Sequence, residues 1–167
     1  MELTKLEEIL STFLRKPARV AVVGVGNSLR SDDFVGVAVV QKLKQKVQKD
    51  AVLFIEADTA PTSFFHKIQE WNPSHLLIID AADFGADPGA VNLIKREQIT
   101  TFTLTSHKRS FTLLIDLIAH YLPDLKIEIL VIQPLSVEFN AEINISPNIQ
   151  DVLEKLVNIL ELILSKL

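Results

Sequence analysis

Hydrophobic positions along the chain fall into two alternating rhythms. Leu6, Ile9, Leu10, Phe13 and Leu14 recur at helical spacing behind Thr4-x-x-Glu7, which has the form of a capping box, so a first helix is predicted over residues 4–16, ending at Pro17. Residues 20–25 form an unbroken, largely β-branched run bounded by glycine, as suits a strand buried on both faces of a parallel sheet. Helical spacing returns over 33–46, with Gly36, Val39, Val40, Leu43 and Val47 on one face. A second strand is predicted at 52–55, a helix over 63–71 stopped by Asn72-Pro73, and a third strand at 75–80.

The next link breaks this alternation. Residues 81–89 are too few, and too rich in Gly, Pro and Asp, to hold a crossover helix, so the fourth strand, 90–95, is predicted to run antiparallel. Residues 96–105 must then climb back to the other edge. A helix over about 106–122 descends from there, which puts His107 at the top, and a fifth strand follows at 127–132. Ser146-Pro147 supplies an N-cap and a first-turn proline for a last helix, whose buried stripe is Ile149, Val152, Leu153, Leu156, Leu160, Ile163 and Leu164. The predicted fold is α/β: a three-layer sandwich with a twisted, five-stranded, mostly parallel sheet, one antiparallel strand and helices on both faces. Its 167 residues, 48% hydrophobic, read as a single domain over 1–167 carrying an additional N-terminal helix.

Composition narrows the chemistry. A net charge of -4 without any basic run speaks against nucleic-acid binding. Cysteine is absent, which removes disulfides, thiolate metal sites and a cysteine nucleophile, so any metal must bind through oxygen and imidazole. The acidic, amphipathic N-terminus does not have the form of a signal peptide, and no apolar stretch approaches membrane-spanning length. A soluble, cytoplasmic protein is expected.

Three of the five glycines, Gly24, Gly26 and Gly36, surround the first strand's exit and the acids Asp32 and Asp33. Leu29 stands where a dinucleotide fingerprint needs its third glycine, and no Gly-Lys-Ser/Thr follows, so neither a Rossmann-type nor a P-loop phosphate site fits. Ligands of open α/β sheets sit beyond the carboxyl ends of the strands, where Asp32, Asp33, Asp58 and Asp80 all fall. Each has a structural alternative: Asp32 as a helix cap, Asp33 as a partner of the helix dipole, Asp80 as an acceptor for loop amides, Asp58 as a solvated residue. Of the four histidines, His75 lies at the opposite end of the sheet, His66 within a helix and His120 in a helix's last turn, so only His107 can meet the acids. Two carboxylates and an imidazole form an open coordination set; without metal, the same acids could share a proton.

Taken together, the motifs resemble the hydrogenase maturation endopeptidases, most closely the branch that processes the large subunit of hydrogenase-3-type [NiFe] enzymes. The resemblance covers about residues 18–165. It rests on Gly24-x-Gly26-Asn27-Ser28-Leu29-x-x-Asp32-Asp33-x-x-Gly36, on residues 76–81, on Thr105-Ser106-His107, and on Gln133-Pro134 with Ser146-Pro147. It implies a metal-contacting trio of Asp33, Asp80 and His107, and an endopeptidase that removes a C-terminal extension from a [NiFe] large-subunit precursor after nickel insertion, cutting after a basic residue. The implied nickel belongs to the substrate, so no permanently bound metal is expected, and the enzyme is expected to be a monomer. Departures from the family pattern are Phe34 for a glycine or alanine, Glu56-Ala57-Asp58-Thr59 for a D-G-G-T/S sequence, and the N-terminal helix. Rival readings are a non-catalytic chaperone that inspects the nickel site, and a divergent cofactor-binding fold.

Overall fold

A computed structural model describes residues 1–15, 18–57, 64–94, 103–104 and 108–167, with side chains at 103–104 and 108–112 left aside. In chain order it contains α1 (Leu3–Phe13), β1 (Val20–Gly24), a 3-10 turn (Ser31–Phe34), α2 (Val35–Lys46), β2 (Val52–Glu56), α3 (Phe65–Trp71), β3 (His75–Asp83), β4 (Val91–Ile94), β5 (Thr103–Leu104), α4 (Lys108–Tyr121), β6 (Lys126–Ile132) and α5 (Pro147–Leu164).

Five strands lie in the order β2-β1-β3-β6-β4. β1 pairs in parallel with β2 and β3, β3 pairs in parallel with β6, and β4 pairs antiparallel with β6, as the helix-free link before it requires. β5 adds a two-residue antiparallel pair to the far end of β3, Ala82 opposite Leu104 and Asp83 opposite Thr103.

Period-two alternation divides each strand between two cores. Val20 and Val22 of β1 join Leu77 and Ile79 of β3 under α1, α2 and α5. Ala21 and Val23 join Leu76 and Ile78 on the other face, under α3 and α4. Both faces are covered, which is why the strands read as continuous apolar runs. Among the described residues no helix is long and apolar enough to cross a membrane.

The structure departs from the local sequence pattern in four places. The capping box at Thr4 does not form: α1 begins at Leu3 behind Glu2, and no side chain caps it. Residues 33–34 belong to the 3-10 turn, and the α-helix starts only at Val35. β3 runs three residues past Asp80, to Asp83. Ser146 does precede α5, but its hydroxyl leaves the helix to bond Asp32. Asn72, by contrast, ends α3 as its position next to proline suggests, in a left-handed conformation with φ 52° and ψ 64°. Of the climb over 96–105, only Thr103–Leu104 lies within the described residues.

Candidate active site

Glycines bring the acids together. A Cβ on Gly24 would fall on the Gly36 carbonyl oxygen, one on Gly36 on the Ile79 carbonyl, and one on Gly26, at φ +153°, on the Asp33 carbonyl. The start of α2 therefore packs backbone against backbone on β1 and β3, an approach no side chain permits. The Val25 N–H extends this seam by donating to the Ile79 oxygen at 2.9 Å.

This seam is the point where the sheet order reverses, since β1 leads by way of α2 to β2 on one side while β3 flanks it on the other. Open α/β sheets place ligands at such a switch point. Asp33 follows β1 there, and Asp80 lies on β3.

Both carboxylates are fully buried, not placed on an open edge as their strand-end positions suggest. The cause for Asp80 is the longer β3: the residue sits within the ladder opposite Val131, with three more residues beyond it. Asp80 Oδ1 accepts the Ala81 N–H at 2.8 Å, while Oδ2 has no hydrogen-bond partner among the described residues. Asp33 Oδ2 accepts the Asn27 N–H at 3.0 Å. Burial, and next the negative charge of Asp33, push the Asp80 carboxyl well above the ordinary 3.8, against a smaller opposing pull from the Ala81 N–H. Two neighbouring buried carboxyls, one with an unsatisfied oxygen, are poised to hold a cation or to share a proton.

The other candidates divide sharply. His75 opens β3 five residues before Asp80, about 16 Å away at strand spacing. Its Nδ1 lies 2.8 Å from Ser74 Oγ, and burial followed by the Lys126 charge lowers its pKa. His66 and His120 are exposed on α3 and α4. His107 and Asp58 lie outside the described residues, and no cluster of three or more His, Cys, Asp or Glu suited to a metal occurs among those described. A cavity of about 610 Å³ lined by Phe13, Arg15, Ser74, His75 and Lys126 sits at the other end of the sheet and shares no residue with the acid pair.

A family model for the HycI hydrogenase maturation protease matches residues 37–163. The chain belongs to this family. The match includes Asp80 and position 107 and begins just after Asp33. Relatives agree with it: the chain is 31% identical over 141 residues to a protein assigned as a hydrogenase maturation protease in Methanocaldococcus jannaschii, covering 80% of this chain and 83% of that one. It is 34% identical over 93 residues to the Escherichia coli hydrogenase 3 maturation protease, covering 55% and 59%. The solution structure of the E. coli endopeptidase HycI superimposes with a TM-score of 0.72 at 29% identity, covering 83% of this chain and 86% of that one. The fold is shared with HycI of Thermococcus kodakarensis at a TM-score of 0.76 and 23% identity, over 93% and 98% of the two chains. As a hydrogenase maturation protease, the protein cleaves the C-terminus of a [NiFe]-hydrogenase large subunit. It is an enzyme, which answers the rival reading of a chaperone that binds without cutting.

Two polar residues gained roles that the sequence had not indicated. Asp32, considered above as a helix cap, instead accepts the backbone N–H groups of Leu135, Ser136 and Ser146 and the Ser146 hydroxyl, at 2.6 to 3.0 Å. Gln133 is buried, and its side-chain oxygen accepts the Phe84 and Ala86 N–H groups at 2.9 and 3.3 Å, fixing the turn after β3. Gln133 was marked in the sequence only as part of the Gln133-Pro134 motif, which carries no hint of this role.

Proposed function

We propose that Asp33, Asp80 and His107 together engage the nickel centre carried by the large-subunit precursor and position a water at the scissile bond, so that the tail is cut only once nickel is in place. The observation that carries this reading is the buried Asp80 Oδ2, without a hydrogen-bond partner among the described residues and beside Asp33 at the sheet's switch point. Asp80 shares a sheet face with Ile78 and Ala82, the face that α4 covers. Leu104 pairs with Ala82, and α4 starts at Lys108.

On this reading nickel arrives as part of the substrate, the cut follows a basic residue, and a cytoplasmic monomer forming one domain over 1–167 does the work. A second reading is favoured by the raised Asp80 carboxyl: the acids share a proton, and one of them acts as general base on the water.

Replacing each histidine by alanine tests the site. Mass spectrometry of nickel-loaded large subunit is expected to show cleavage abolished in His107→Ala and near normal in the His66, His75 and His120 variants. Loss with a folded His75→Ala, or none with His107→Ala, would overturn the assignment. The isolated protein is also expected to hold nickel weakly, since two carboxylates and one imidazole lack soft or numerous ligands. Metal analysis after chelator dialysis checks this, and a stoichiometric residual metal would contradict delivery by the substrate.

A further inference from the structure

Between β6 and α5, residues 134–146 form a long segment without regular secondary structure, a length that in compact domains usually serves binding. Ile145 packs on the core, but three large apolar side chains of the segment face outward: Leu135 is 58% exposed, Phe139 76% and Ile143 62%. A second loop, carrying Leu29 at 42% exposure, runs beside it. The two are laced together. The Asn140 N–H donates to the Leu29 oxygen at 2.8 Å, Arg30 Nε to the Val137 oxygen at 3.2 Å, the Ser31 hydroxyl to the Glu138 oxygen at 3.1 Å, and the Asp32 N–H to the Ser136 oxygen at 3.0 Å. Asp32, fully buried, closes the lacing with its four accepted hydrogen bonds.

Many hydrogen bonds hold the segment while these three side chains stay in water. Exposed apolar surface of this kind is costly, and where it clusters it marks a surface that another molecule covers. The covering molecule is constrained by position, because the buried clasp Asp32 is the peptide neighbour of Asp33. A substrate that brings its tail to Asp33 and Asp80 must rest its body against the chain that flanks them.

We infer that Leu29, Leu135, Phe139 and Ile143 form the docking surface for the body of the large-subunit precursor, and that Asp32 is a positioning residue that holds this surface in register with the acid pair. The inference rests on the peptidase reading above. Glu138 and Glu142, both exposed, give the surface an acidic rim, so the precursor face that meets it is apolar with basic residues around it. Preorganisation matters here: a loop already ordered loses little entropy when the precursor docks.

The test pairs cleavage with binding, using the full chain and nickel-loaded precursor. In Phe139→Ser/Ile143→Ser, both positions being exposed, the thermal midpoint is expected to stay unchanged, KM to rise about tenfold and kcat to hold within about twofold. Introduced into the non-cleaving Asp80→Asn background, the same pair of changes is expected to weaken the precursor's Kd about tenfold. Asp32→Asn turns an amide N–H toward donors. It is expected to raise KM, and to speed hydrogen exchange at the amides of 135, 136 and 146 while the β1 and β3 amides stay protected. An unchanged KM and Kd in the double variant overturns the docking surface, as does a precursor that does not bind Asp80→Asn at all. If binding depends on the loop but the wild-type protein cuts nothing, the docking surface stands and the peptidase assignment of the acids falls.

Discussion

Asp80→Asn is expected to unfold at a higher temperature than the wild-type protein while leaving the large-subunit tail uncut. Asparagine has the same shape, still accepts the Ala81 N–H, and removes a buried carboxyl whose charged form is opposed by burial and by the charge of Asp33. Removing the desolvation cost of that buried charge is worth about 1–3 kcal/mol or more, and in a chain of this size each kcal/mol moves Tm by about 2–4 °C. The gain depends on pH. The folded protein holds the Asp80 proton more tightly than the unfolded chain does, so the wild type enjoys this stabilisation fully below the ordinary value of 3.8 and loses it as pH rises through the raised folded value. The Tm difference between variant and wild type should therefore be small near pH 4 and widen toward pH 8. A difference that stays flat across that range would mean the Asp80 carboxyl is not shifted upward. Cleavage, followed by mass spectrometry, should be lost at every pH if the acids engage metal, whereas activity restored at altered pH would favour the shared proton. Asp33→Asn is expected to abolish cleavage as well.

Gly36→Ala should damage both fold and activity. Its Cβ would meet the carbonyl oxygens of Ile79 and Val25, backbone atoms that cannot turn aside as a side chain would. Overpacking of this kind costs about 3 kcal/mol or more, which lowers Tm by roughly 6–12 °C, and the forced separation of α2 from β3 moves Asp33 off Asp80. Gly85→Ala is the control: nothing lies within 4 Å of its Cβ position, so only its φ of +72° opposes the change, at about 1 kcal/mol. Thermal melts of the two variants, with cleavage measured on each, separate crowding at the seam from a general intolerance of alanine. Equal, small losses in both would remove the seam from the account of the site.

Much of the architecture was legible because its causes are local. Strands buried on both faces, such as 20–24 and 75–79, need unbroken apolar runs, and helices covering one core need a periodic stripe. A link of nine residues cannot hold a crossover helix, so the reversal of β4 follows from length alone. The same local logic placed Asp33 and Asp80 at the carboxyl side of β1 and β3 and set His75 at the far end. Thr4 did not become a cap, since the helix starts earlier, at Leu3.

What the tertiary structure alone decided concerns the partners of polar groups. Asp32 and Asp33 are adjacent acids that the hydrophobic pattern does not distinguish. A 3-10 turn separates successive side chains by about 120°, so one reaches the 134–146 loop more than a hundred residues away while the other meets Asn27 and the charge of Asp80. Burial of Asp80 likewise needed β6 alongside and β3 prolonged to Asp83, neither of which the run of residues 75–80 discloses. Hydrophobic pattern is periodic and one-dimensional, so the sequence determined the layers and the strand directions. Hydrogen-bond pairing and the desolvation of a charge depend on which distant backbone arrives beside it, and only the folded chain decides that.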